Sequence, residues 1–395
     1  MTPVDISAYT LTCAVGSGIA AIRNRLEADR SGLSNEPWPD SNIATWLGRV
    51  DGLDRAEENL PDAYESRNNR LARLALGQDE FSAQLLEKRE QFGAQRCGLV
   101  LGTSTSSIGR TEASYLQLTS EEEFAAADRH GELHNPHSTT EFVARELGIA
   151  GPAVTVSTAC SSSARAFASA ARWLACDIVD VVVVGGVDTL CLSVICGFNS
   201  LQLVSEEPCR PFDSLRSGLS LGEAAGFALL TRESPGNPAP LQLLGYGESL
   251  DAYHMSSAHP DGLGAKLAME AAVKRAGVEF SDIDYLNLHG TGTRANDKVE
   301  GLATRAAFGR DVLCSSTKGW TGHTLGAAGI TEAILAFDAL LTGLVPGTIN
   351  TRELDIETQL PVLLKSVRSD PRLVMSNSFG FGGNNCSLIF GGAHS

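Results

Sequence analysis

The chain has 395 residues, 43% of them hydrophobic and 20% charged, a balance that fits a globular enzyme built as one large α/β unit or two fused halves. Its 31 basic against 47 acidic residues give a formal net charge of −16, which excludes sequence-independent nucleic-acid binding, since that depends on Lys and Arg neutralising phosphates. No signal peptide is expected from Met1-Thr-Pro-Val-Asp5, which lacks a basic region followed by an apolar run. The apolar stretch at Val181–Val184 is too short to span a bilayer.

Short β-branched runs alternate with longer Ala-rich stretches, the pattern of an α/β fold. In chain order, strands are predicted at Gly98–Leu101, Ala153–Ser157, Val179–Val184, Phe227–Thr231, Tyr285–Leu288, Val312–Ser315, Leu373–Ser376 and Cys386–Phe390. Helices are predicted over Cys160–Cys176, Gly264–Ala276 and Leu325–Leu341. The segment Ser234–Pro240 disfavours regular structure and marks a boundary between halves 1–235 and 240–395. On each side a strand leads through a small-residue turn into a helix, which points to two pseudo-equivalent halves.

Nine cysteines, an odd number and scattered, show no C-x-x-C and no Cys/His spacing of a zinc site. A reduced cytoplasmic location is expected, with no metal. One cysteine stands apart. In Val154-Thr-Val-Ser-Thr-Ala-Cys160-Ser-Ser-Ser a strand ends and Cys160 falls at the start of a helix, where the dipole and unpaired N–H groups should lower its pKa and could hold an oxyanion. The other eight are expected to be inert.

Tyr285-Leu-Asn-Leu-His289-Gly-Thr-Gly-Thr293 puts a histidine at a strand's C-terminal end, where α/β sheets present functional groups; a capping or core histidine fits that segment equally well. Ser315-Ser-Thr-Lys318-Gly-Trp-Thr-Gly-His323 places a lysine and a second histidine in a glycine-bounded loop. Ser376-Asn-Ser-Phe379-Gly-Phe381-Gly-Gly is a glycine-rich turn after a strand, without a P-loop or dinucleotide fingerprint.

Together and in this order, these segments resemble the elongating β-ketoacyl-acyl-carrier-protein synthases of the thiolase superfamily, over nearly the whole chain. The resemblance implies a duplicated thiolase-like five-layered α/β/α/β/α fold, a homodimer or heterodimer, and no cofactor. It implies decarboxylative Claisen condensation of an acyl group on Cys160 with malonyl-acyl-carrier-protein. Residue by residue, His289 and His323 match the catalytic histidines, Lys318 the lysine before the second of them, and Glu332 the acidic residue on the next helix. Phe381 matches the gating phenylalanine whose N–H joins that of Cys160 in the oxyanion hole, and Phe379 lies in the same motif. Thr291, Thr293 and Ser256 match pantetheine-binding positions, and Phe198 a residue of the acyl pocket. Thr111 stands where fatty-acid enzymes carry an apolar pocket residue.

Arg67, Arg70 and Arg73 match a basic helix that docks the acidic carrier protein, although a solvated helix face fits the same spacing. Thr158-Ala-Cys-Ser-Ser-Ser and His289-Gly-Thr-Gly-Thr-Arg are closer to polyketide ketosynthases, whereas Thr321-Gly-His-Thr-Leu-Gly is closer to fatty-acid enzymes. Ser217 and Asn384 depart from the family's usual Asp and Thr. This mixture points to a specialised pathway such as polyene or aryl-polyene assembly. The rival reading is a non-catalytic chain-length-determining partner subunit. Those subunits typically lack the cysteine, so Cys160 with both histidines argues against it.

Overall fold

The computed structural model describes residues 1–53, 60–120, 123–125, 128–232 and 239–392. Among the described residues the main sheet has eleven strands, the short Gly16–Ser17 pairing beside the first, and ten of them follow one path: β1 (Val4–Cys13), β2 (Cys97–Gly102), β3 (Ala153–Val156), β4 (Val181–Asp188), β5 (Ala224–Arg232), β6 (Gln242–Leu250), β7 (Tyr285–Asn287), β8 (Leu313–Ser315), β9 (Leu373–Gly380) and β10 (Asn384–Gly391). Their spatial order is β3-β2-β4-β5-β1-β6-β10-β9-β7-β8. The first five strands, read from the join outward, run 1-5-4-2-3, and the last five run 6-10-9-7-8. These are the same order with every number raised by five.

Directions repeat as well. β5 is antiparallel to both β1 and β4, as β10 is to β6 and β9. β2 runs parallel to β3 and β4, as β7 does to β8 and β9. The fold is therefore a duplicated thiolase-like one. Ser234–Pro238, the core of the expected break, lies outside the described residues.

Between the half-sheets lie helices Ser162–Ala175 and Ala328–Thr342, which pack on each other and on strands of both halves. Helices Arg67–Leu76 and Ser138–Glu146 cover the outer face of the first half, and Leu263–Ala276 with Arg294–Phe308 cover the second. This gives five layers. Val181, Val182, Val183 and Val184 have no exposed surface because β4 is covered on both faces, and burial of each stabilises by about 1.5–3 kcal/mol. Leu325–Thr342 has the length and apolarity of a membrane span, but it is 83% buried inside the protein.

The two strands at the join, β1 and β6, were not anticipated. In β6, Gln242-Leu-Leu-Gly-Tyr-Gly-Glu-Ser-Leu250, two glycines resemble turn signals. They are there for close approach: a Cβ on Gly247 would lie 1.8 Å from the carbonyl oxygen of Ala268, on the helix crossing that strand. The helix expected from Cys160 begins at Ser162, leaving Cys160 in the turn that precedes it.

Candidate active site

The first half brings one strand-to-helix turn to a common centre, and the second half brings two. After β3 the chain reverses at Ala159, whose φ of 51° is left-handed, and delivers the buried Cys160 just before helix Ser162–Ala175. Such a conformation costs a non-glycine residue about 1–3 kcal/mol. The surrounding bonds hold it: Ser162 Oγ accepts from Thr158 N at 2.9 Å and donates to Ala159 O at 2.5 Å.

His289 follows β7, and His323 lies in the loop between β8 and helix Ala328–Thr342. Their rings stand edge to face, with centroids 5.4 Å apart. A ligating atom of Cys160, His289 and His323 lies within 4.8 Å of each of the others, and all three residues are buried. His323 Nε2 is 2.9 Å from Cys160 Sγ. Residues distant in sequence thus meet at one point.

Lys318 fixes the His289 imidazole. Its fully buried ammonium donates to the Glu332 carboxylate and to the His289 carbonyl oxygen, and it lies 3.3 Å from His289 Nδ1. An ammonium has only protons to offer, so Nδ1 accepts and the ring proton sits on Nε2. Burial, reinforced by the Lys318 charge, holds His289 and His323 well below the usual imidazole range. Both rings are neutral at pH 7. Burial also pushes the Glu332 carboxyl up to about 7, against the pull of Lys318.

One expectation is reversed. Burial pushes the Cys160 thiol up to about 11, opposed by the Lys318 charge and by the Phe381 and Cys160 amides, which hydrogen-bond its sulfur. The helix start does not supply a standing thiolate, because desolvation outweighs it. The resting site pairs a thiol with a neutral imidazole.

Two carboxylates that sequence reasoning missed shape the His289 turn. Glu300 accepts from His289 N and Gly290 N, each at 2.7 Å, and burial raises its carboxyl to about 7. Asp297 accepts from Phe212 N at 2.8 Å and Gly292 N at 3.2 Å, with Arg216 3.5 Å away. Their signal is present in Asp297-Lys-Val-Glu300: acids three apart share a helix face, here turned toward the loop that precedes the helix.

A cleft of about 680 Å³ opens onto Cys160, His289 and His323. Thr291, Thr293 and Ser256 lie along it, as do Phe198, Phe379 and Phe381. The Phe381 ring stacks on Phe198 at 5.8 Å, and Phe379 meets His289 at 6.1 Å. Gly382 and Gly383, with φ of 74° and 73°, form the turn that carries Phe381. Both left-handed positions call for glycine.

Thr111 is not part of this lining; its hydroxyl is taken up by His134 Nδ1 at 2.9 Å. Nor do Arg67, Arg70 and Arg73 form a free basic strip. Arg67 pairs with the buried Glu223 at 2.6 Å and lies over Trp38, Arg70 pairs with Glu65 at 2.5 Å, and Arg73 with Glu146 at 2.9 Å. Each of these charges already has a carboxylate partner.

Residues 8–235 match the family model "Beta-ketoacyl synthase, N-terminal domain", and residues 242–352 match "Beta-ketoacyl synthase, C-terminal domain". The chain belongs to the β-ketoacyl synthase family. Among curated relatives of this synthase are 3-oxoacyl-[acyl-carrier-protein] synthase 2 of Vibrio cholerae, 33% identical over 98% of each chain, and nodulation protein E of a Rhizobium species, 35% identical over 96% of each. Among solved structures, a ketosynthase in complex with its chain length factor from Xenorhabdus doucetiae is 39% identical, with a TM-score of 0.89, covering 99% of this synthase and 98% of that chain. The synthase is an acyltransferase that condenses an acyl group with malonyl-acyl-carrier-protein, giving 3-oxoacyl-acyl-carrier-protein and CO2.

Proposed function

We propose that Cys160 is the acyl-accepting nucleophile and that His289 and His323 form the decarboxylation site. The observation that carries this reading is the contact of His323 Nε2 with Cys160 Sγ beside a second imidazole whose tautomer Lys318 fixes. In the first half-reaction the thiol proton passes to His323 as sulfur attacks the acyl thioester. The carbon–sulfur bond to the carrier breaks, and the carrier leaves as a thiol that takes up that proton. Malonyl carrier then enters; with the Cys160 proton gone, His323 takes the tautomer protonated on Nε2, and the Nε2–H groups of His289 and His323 hold the thioester oxygen while CO2 departs. These donors favour charge that exists only transiently, so they lower the barrier rather than tighten ground-state binding. The carbanion attacks acyl-Cys160, the tetrahedral oxyanion rests on the Cys160 and Phe381 amides, and collapse releases the Cys160 sulfur.

Lys318 and Glu332 act as a buried pair that orients His289. Thr291, Thr293 and Ser256 line the pantetheine path, Phe198 borders the acyl pocket, and Phe381 gates entry of the second substrate. The chain divides at residues 235–240, a boundary supported by the strand order repeating on either side. A reduced cytoplasmic setting is supported by nine unbridged cysteines.

The mixed motifs support elongation in a specialised polyene or aryl-polyene pathway. Dimerisation is supported by edge strand β3, where Val154 remains 37% exposed although its neighbour β2 is buried. A native mass of two copies supports a homodimer; a copurifying second chain supports a heterodimer.

The test is incubation with a panel of acyl carriers and malonyl carrier, read by intact-protein mass. We expect acyl-Cys160 in the native protein and none in Cys160→Ala. Acyl loading that survives Cys160→Ala overturns the reading. Equal turnover of saturated medium-chain and polyunsaturated or aryl carriers overturns the pathway assignment.

A further inference from the structure

The turn that carries Phe381 is tethered on two sides. On one side Gly382 N donates to Met255 O at 2.7 Å, Asp251 N donates to Gly383 O at 2.9 Å, and Asn385 Nδ2 donates to Asp251 Oδ1 at 3.0 Å. On the other side the tether comes from the helix that follows Cys160. Arg165 Nη1 donates to Asn384 Oδ1 at 2.7 Å, and Arg165 Nε donates to Glu248 Oε1 at 2.9 Å. Glu248 is itself held by Arg172 at 2.5 Å.

Asn384 is the first residue of β10 and pairs with Gly380, so Gly380 and Asn384 are the two hinges of the Phe381 turn. A Cβ on Gly380 would lie 3.3 Å from Cys160 N and 3.1 Å from Asn384 O. The hinge, the nucleophile's amide and the Arg165 contact are therefore close neighbours. A hydrogen bond from a guanidinium is about twice as strong as one between neutral groups, and this one spans helix and turn. Thr at position 384 has no amide oxygen to extend toward Arg165, so the contact depends on the asparagine found here.

We propose that Arg165 is a positioning residue for the Phe381 turn: through Asn384 it holds the hinge, and with it the Phe381 ring on Phe198, until Cys160 carries its acyl group. This rests on the ketosynthase reading above. When the hinge is loosened, malonyl carrier reaches His289 and His323 before an acyl acceptor is present. Its carbon–carbon bond then breaks, CO2 leaves, and the enolate takes a proton from water to give acetyl carrier instead of a 3-oxoacyl product.

The measurement is the ratio of CO2 released to 3-oxoacyl product formed, taken alongside thermal melts of each variant. Asn384→Ala removes the acceptor and should raise the ratio about fivefold. Asn384→Asp keeps an acceptor and adds charge, so it should hold the ratio at the native value and slow condensation about threefold by stiffening the hinge. A folded Asn384→Ala with the native ratio overturns the proposal, as does an equal rise in both variants. A native protein that neither loads Cys160 nor releases CO2 from malonyl carrier would instead overturn the ketosynthase reading.

Discussion

The turns that follow β2 and β7 occupy the same place in the two halves, and in each a buried carboxylate clamps two successive amides just after the strand. After β2, Asp188 accepts from Ser104 N at 2.9 Å and Thr105 N at 2.7 Å, together with the Thr103 and Thr105 hydroxyls and Ala327 N. After β7, Glu300 accepts from His289 N and Gly290 N. In the first half, side-chain hydroxyls join the amides on the carboxylate and the turn closes on itself. In the second half the clamp takes only the backbone amides and an amide of Asn296, which leaves the imidazole free to face the cleft. One backbone solution therefore serves as a brace in one half and as a mount for the His289 imidazole in the other.

The widest separation between the two should come from Asp188→Ala, which strands the donors on Asp188 without a partner. We expect a loss of about 4 kcal/mol in denaturant unfolding, with the folded fraction still competent in acyl loading. Glu300→Ala should do the reverse: a folded protein whose condensation rate falls about a hundredfold because His289 is no longer held in place. Equal losses of stability in the two variants would erase the distinction between brace and mount.

Arg67→Ala tests the outer face of the first half against its buried support. It should cost about 2 kcal/mol of stability by leaving Glu223 without its cation, while the KM for carrier in the folded enzyme stays within about twofold. A large rise in carrier KM without loss of stability would instead support carrier docking at this helix.

The smallest effect concerns acid. His289 and His323 stay neutral in the folded protein, whereas their unfolded counterparts take up protons below about pH 6.5. Stability is therefore present above that value and lost as pH falls from 6.5 toward the depressed folded values. Each histidine accounts for about 1.4 kcal/mol per pH unit over that window. His323→Ala should show a smaller drop in melting temperature between pH 7.5 and pH 5.5 than the native protein.

Much of this was legible in the sequence. β-Branched runs marked eight of the ten main strands, and Cys160, His289, Lys318 and His323 all fell in the segments that follow strands, flanked by small residues. β1 and β6 were not legible. The glycines of β6 answer to the Leu263–Ala276 helix lying across them, which local pattern does not encode. The ionisation of Cys160 was misjudged because its helix position is a local feature, whereas its burial comes from both halves closing over it. Asp297 and Glu300 were passed over for a related reason: a carboxylate on an amphipathic helix announces itself as solvated until tertiary structure turns it inward.

The join between the halves also bears on how the protein is made. β1 is synthesised first, yet its long antiparallel partner is β5, from Ala224 to Arg232, and its short one is β6, through Val4↔Leu243 and Asp5↔Gln242. At ordinary translation rates β1 waits about 10–40 s on the ribosome before β5 exists. During that interval an apolar strand lacks both of its long-range sheet partners, so chaperone occupancy should peak there and fall once Arg232 has cleared the exit tunnel.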